Sequence, residues 1–172
     1  MARLQRDGSG IKVELSAEEV DVVATLAEGL AVRLSAVSGS ADVDDDMLDR
    51  LAPTASRTDA ALDAELRGLL LGDLMSLRVA RLRAFAEGLR SGIADHSGPY
   101  QRTHDRDQAM ALVEALNDLR IALAVTVGYE ELANDAFEPT DRRAETVRLL
   151  DALAWLQGGL IEFIESDEGF GD

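Results

Sequence analysis

Apolar residues recur every three to four positions over four long stretches of this chain, and the longest stretch runs from about Asp59 to Arg90. Leu62, Leu66, Leu69, Leu70, Leu74, Leu77, Leu82, Phe85 and Leu89 mark its buried side. A helix that long carries an apolar stripe that has to be covered by other elements. Three further helical stretches are available to do so. The first opens at Ser16-Ala17-Glu18-Glu19, a capping box in which serine and glutamate each satisfy a free backbone amide. Val20, Val23, Leu26, Ala27, Leu30 and Leu34 follow at helical spacing, and Gly39 lies just past the expected end. Another covers about Asp105 to Val127, with Leu112, Val113, Leu116, Leu119, Leu123 and Val127 on one side and Gly128 as its C-cap. The last runs from about Asp141 to Glu165 behind Thr140 as N-cap, with Val147, Leu150, Leu153, Ala154, Leu160, Ile161 and Ile164 inward. The expected fold class is therefore mainly α, a bundle of about four long helices.

The N-terminus breaks that pattern. Ala2 to Arg6 and Ile11 to Leu15 flank Asp7-Gly8-Ser9-Gly10, and Ile11, Val13 and Leu15 alternate with Lys12 and Glu14. This predicts a small β-hairpin over residues 1–15, which must pack on a helix or pair with another chain because a lone hairpin is marginal in water. Pro53, Pro99 and Pro139 fall in the breaks between periodic segments. Residues 40–58 are the least regular, with a short helix expected around Met47 to Leu51, and Ser91 to His104 reads as a loop. Gly68, Gly72 and Gly88 each cost about 1 kcal/mol against alanine inside a helix, which suggests close helix packing beside them. The division that results is one domain over 1–172: hairpin 1–15, helices 16–165 and a flexible acidic tail 166–172.

The chain has 172 residues, a hydrophobic fraction of 47% and a charged fraction of 29%, the composition of a globular domain with one core. No apolar run is long enough to span a bilayer, and the first residues lack the apolar core of a signal peptide. A cytoplasmic location is expected. With no cysteine, thiolate metal sites, thiol nucleophiles and disulfides are excluded for this chain. The net charge of −16 disfavours a direct grip on nucleic acid. Arg78, Arg81, Arg83 and Arg90 nevertheless cluster in one stretch, either as a solvated helix face or as a docking patch for an acidic partner.

Catalytic signatures are missing. Asp42 to Asp46 begins like a calcium loop, but Met47 occupies the position that needs glycine and Pro53 the position that needs glutamate. His96 and His104, with Asp95, Asp105 and Asp107 nearby, are weak metal candidates whose spacing matches no established site, and ordinary surface histidines are expected. There is no nucleophile elbow, no glycine-rich phosphate cradle and no Glu-x-x-His pair, so no cofactor is implied. The polar and aromatic residues set into otherwise apolar helices are Asn117, Asp118, Arg120, Trp155 and Gln157. They suit a polar contact between the last two helices, with Gln157 or a carboxylate as partner, or a protein-binding face, or a small-molecule site. A lone tryptophan such as Trp155 is usually core.

Several segments together carry a resemblance. They are the hairpin leading to the cap at Ser16, Leu48-Asp49-Arg50-Leu51-Ala52-Pro53, Glu65-Leu66-Arg67, the Leu-Asn-Asp-Leu-Arg-Ile-Ala-Leu stretch at 116–123 and the Leu-Ala-Trp-Leu-Gln-Gly-Gly-Leu stretch at 153–160. On these the chain resembles the AosR-like actinobacterial family, otherwise described as a domain of unknown function. The resemblance implies a helical protein without established enzymatic activity, encoded near a Clp-protease adaptor and sulfur-metabolism genes. One branch is described as an oxidative-stress transcriptional regulator acting with an alternative sigma factor and sensing through an N-terminal cysteine pair. That sensor does not carry over to a chain without cysteine. The functional expectation is a non-enzymatic regulatory or protein-interaction module, with a sigma factor or other transcription machinery as partner. The alternatives are a structural homo-oligomer, such as a homodimer, and a metal-binding protein or enzyme using the loop from His96 to Asp107.

Overall fold

The computed structural model describes residues 2–37, 47, 50–51, 58–92, 99–128 and 142–167. Its elements are β1 (Arg3–Asp7), β2 (Gly10–Leu15), α1 (Ala17–Val37), α2 (Ala60–Ser91), β3 (Tyr100–His104), α3 (Arg106–Val127) and α4 (Arg142–Asp167). The protein is mainly helical, with a small antiparallel sheet.

Local signals set most of the element ends. The backbone amide of Ser16 donates to the Glu19 carboxylate at 2.8 Å, and the Glu19 amide donates to Ser16 Oγ at 3.2 Å. Asp59 caps α2 by accepting from the amides of Ala61 and Leu62. Asp105 and Gln108 form a reciprocal capping box on α3, which closes at Gly128 with φ 70°, a left-handed conformation that favours glycine. Met47 and Leu51 are helical and buried, in the short segment where a helix is expected. Gly39, Thr140 and the tail from residue 168 lie outside the described residues.

The predicted hairpin is present, and it is part of something larger. β2 pairs antiparallel with β1 on one side and with β3 on the other, in the order β1-β2-β3. The segment expected to be a loop up to His104 thus ends in a strand. Its register sets Leu15 opposite Tyr100, Val13 opposite Arg102 and Ile11 opposite His104. Four polar residues in five hide the strand from a hydrophobicity reading, and its partner lies about ninety residues away in sequence.

Helices pack in antiparallel succession. Arg90 of α2 reaches Asp21, Thr25 and Glu28 of α1, while Arg83 reaches Ser35. Further along, α2 crosses α3, and α3 lies against α4. The core takes Val20, Ala27 and Leu34 from α1, Met75, Leu82 and Ala86 from α2, Leu116 and Leu119 from α3, and Leu153, Leu160 and Phe163 from α4. Ile11, Val13 and Leu15 close it from the sheet. Leu77, expected inside, is 62% exposed, and Leu62 and Ile161 also face solvent. Met75 and Val79 are buried on α2, so its inward face is rotated from the one that counting leucines selects.

Close approach occurs at Gly159 rather than at Gly72 or Gly88, while the surroundings of Gly68 lie outside what is described. A Cβ at Gly72 or Gly88 would meet nothing within 4 Å, whereas one at Gly159 would overlap Leu4 Cδ1 at 2.4 Å. The missing side chain at Gly159 is what seats β1 on α4. Arg6 reinforces that contact by donating to Ser166 Oγ and by lying 5.5 Å from the Phe163 ring centroid.

Candidate functional site

Three arrangements place the polar residues singled out by the sequence. The first is a buried ionic link between α2 and α3. Asp118 is fully buried and one turn from the equally buried Ala115 and Ala122, so its carboxylate is carried on the inward face of α3. One oxygen accepts from Arg78, and the other accepts from Arg81 Nη2 at 2.7 Å. Arg78 also donates to the Leu51 carbonyl at 2.7 Å, tying the short segment around 47–51 to the same point. Arg81 reaches Glu114 at 2.5 Å. Burial works against the charge on Arg81, but its hydrogen bonds to Asp118 and Glu114 outweigh that and raise its pKa. The four arginines of the expected patch therefore divide: Arg78 and Arg81 turn to α3, and Arg83 and Arg90 turn to α1.

The second arrangement is the expected polar contact between the last two helices. Arg120 donates to the side-chain oxygen of Gln157, whose amide nitrogen donates to the Val113 carbonyl at 3.2 Å. Gln157 is buried at 6% exposure and both ends of its amide are occupied, which lets it sit there without a desolvation penalty. Asn117 is exposed, beside Arg120 on a shallow depression between α3 and α4 that Arg50 and Asp151 also line. Trp155 departs from the core expectation. It is 54% exposed, on the outer strip of α4 with Ala152 and Gly158 a turn away on either side.

The third arrangement was not anticipated. A groove of about 470 Å³ lies between the second half of α2, strand β3 and the start of α3. Ala84, Phe85, Leu89, Ala111 and Leu112 supply its apolar walls, and Arg81, Arg102, His104 and Gln108 its polar ones. His104 is no surface histidine: it is buried, and its Nε2 shares a 2.9 Å hydrogen bond with the Tyr100 hydroxyl. Burial, with Arg102 beside it, lowers the imidazole pKa, and burial raises that of the Tyr100 phenol, so both rings are neutral near neutral pH. The Tyr100 ring rests on the end of α2, where a Cβ at Gly92 would lie 2.4 Å from it. The alternation Tyr100-x-Arg102-x-His104 was the available sequence signal, since it sets all three on one face of a strand.

Metal ligation finds no focus in this arrangement. Among the described residues no three His, Cys, Asp or Glu side chains group as potential ligands, and Asp95, His96 and the acidic run Asp42–Asp46 lie outside those residues. Also among the described residues, no helix is long and apolar enough to cross a membrane.

No curated protein and no solved structure matches the chain. A family model does match, over residues 1–164, and so takes in the sheet, α1 to α3, α4 as far as Ile164, the two interhelical polar links and the groove. By that match the chain belongs to the family described as Domain of unknown function (DUF2017).

Proposed function

We propose that the protein is a non-enzymatic regulatory module of the cytoplasm that binds a basic protein partner through the outer face of α4. Trp155 carries this reading. An indole more than half exposed gives up burial that would stabilise the chain by about 1.5–3 kcal/mol, and tryptophan is the side chain most enriched at binding hot spots. Ala152 and Gly158 leave the ring accessible from both sides, while Asp151 and Glu162 place exposed carboxylates within two turns of it, with one exposed cation, Arg148, on the same strip. With a net charge of −16, the chain would steer a basic surface toward that face and repel a polyanion. The polar residues of α3 fit a supporting role in this reading, because Asp118 and Arg120 are already engaged between helices.

The AosR-like resemblance suggests that the partner belongs to the transcription machinery, with an alternative sigma factor as the first candidate. Thiol redox sensing has no place in this version, since the chain has no cysteine. We read the four long helices as one bundle that holds the α4 face rigid. A photo-crosslinking amino acid at Ala152, expressed in the native host, tests the proposal. Crosslinks to a basic transcription protein that disappear with Trp155→Ser, at unchanged melting temperature, are expected. Crosslinks that persist in Trp155→Ser would overturn it. Crosslinks between copies of this chain alone would favour the homo-oligomer reading, for which the outer edge of β1 is the supporting feature.

A further inference from the structure

We infer that the groove between α2, β3 and α3 is a binding site for a small organic anion with an apolar, flat body. Four observations lead there. At about 470 Å³ the groove has the size of a small-molecule site, and its lining combines apolar walls with a few converging polar groups. Its described lining contributes cationic side chains, of which Arg81 is already paired with Glu114 and Asp118. The chain has 33 acidic residues against 17 basic ones, yet among the described residues the groove is lined by Arg81 and Arg102 and by no aspartate or glutamate.

Hydrogen-bonding capacity is also left over. Arg81 spends its two terminal nitrogens on Glu114 and Asp118, and among the described residues its buried Nε has no acceptor, as is also the case for Arg78 and Arg120 outside the groove. What sets Arg81 apart from those is that it lines the groove, where an incoming oxygen can accept from it. Arg102 projects from the inner face of β3 between Tyr100 and His104, is exposed, and forms no ion pair among the described residues. A guanidinium free of carboxylates is suited to a carboxylate or sulfonate head, which it can hold by two parallel hydrogen bonds. The body of the ligand would then lie over Phe85, Leu89 and Leu112. There the open space above Gly88, where a Cβ meets nothing within 4 Å, leaves room for a ring. This surface is separate from the α4 face around Trp155, so the two proposals stand or fall independently.

The test uses the full chain and the probe 2-naphthoate, with uncharged 2-naphthamide as its control, by calorimetric titration and by NMR of the His104 imidazole. Naphthoate is expected to bind saturably, shift the His104 signals and exceed the amide by about tenfold or more in affinity. Two variants locate the site. Arg102→Glu changes an exposed residue, and Gly88→Leu fills the groove from a position with free space, so both should fold as the wild type does. Each is expected to weaken naphthoate by about tenfold or more while the melting temperature is retained. Absence of saturable naphthoate binding, equal affinity for the amide, or unchanged affinity in either variant would overturn the assignment.

Discussion

Replacing Asp118 by asparagine preserves the shape of the side chain and removes the charge that Arg78 and Arg81 share. The carboxylate is fully buried, and the two arginine side chains keep 15% and 19% of their exposure. Removing one partner of a buried ion pair costs about 3–5 kcal/mol, because the charge left behind stays desolvated. Here two guanidinium groups lose their counter-charge, but both retain some contact with water. The expected loss is therefore near the lower end, about 3 kcal/mol. For a domain of this length each kcal/mol lowers the melting temperature by about 2–4 °C, so Asp118→Asn should melt about 6–12 °C lower. Urea unfolding followed by circular dichroism measures the free energy directly. A second variant separates charge from shape: Asp118→Leu combined with Arg78→Met and Arg81→Met should regain part of the loss, since an apolar cluster of similar volume needs no desolvated charge but takes the Arg78 donor from the Leu51 carbonyl. A cost below about 1 kcal/mol for Asp118→Asn would put the pair in the range of exposed surface pairs and refute the reasoning.

Two further outcomes test the seating of the sheet. Gly159→Val should cost about 1–3 kcal/mol by pushing Leu4 off α4, and adding Leu4→Ala should return part of it; additive losses in thermal unfolding would show that the two side chains do not share the space. His104 should report burial through pH. Its folded pKa lies below 6.5, so the folded protein takes up this proton less readily than the unfolded chain. The resulting stability is complete above about pH 6.5 and is lost as the pH falls through the folded-state pKa. NMR titration should place the imidazole midpoint below 6.5, and His104→Gln should make the stability fall less steeply in that window. An unshifted midpoint would contradict the burial argument.

The helices were legible because their information is local. Ser16 with Glu19, Asp59, Asp105 and Gly128 each act within one turn of their own chain, and all four function at the ends where their types predict. Strand β3 was not legible for the opposite reason. Tyr100 to His104 reads as polar loop until β2 lies beside it, and the energy that orders it is the ladder to Ile11 through Leu15. The same division runs through the candidate sites. Arg120 and Gln157 sit at the helical spacing that brings α3 and α4 into contact, and they do meet. The arginines of α2 looked like one patch because they are near in sequence, yet Arg81 and Arg83, two positions apart on the helix, point to different neighbours.

By itself, then, the order of residues determined the mainly helical class, the hairpin, the helix caps and the exclusion of thiol chemistry, since each depends on composition or on contacts a few residues apart. Tertiary structure alone decided that Asp118 lies between two arginines, that His104 is buried against Tyr100, that Trp155 faces out and that a groove opens beside Arg102. Those outcomes depend on which face each helix turns to its neighbours. That rotation is chosen by the packing of the whole core, and no single segment carries enough burial energy to choose it alone.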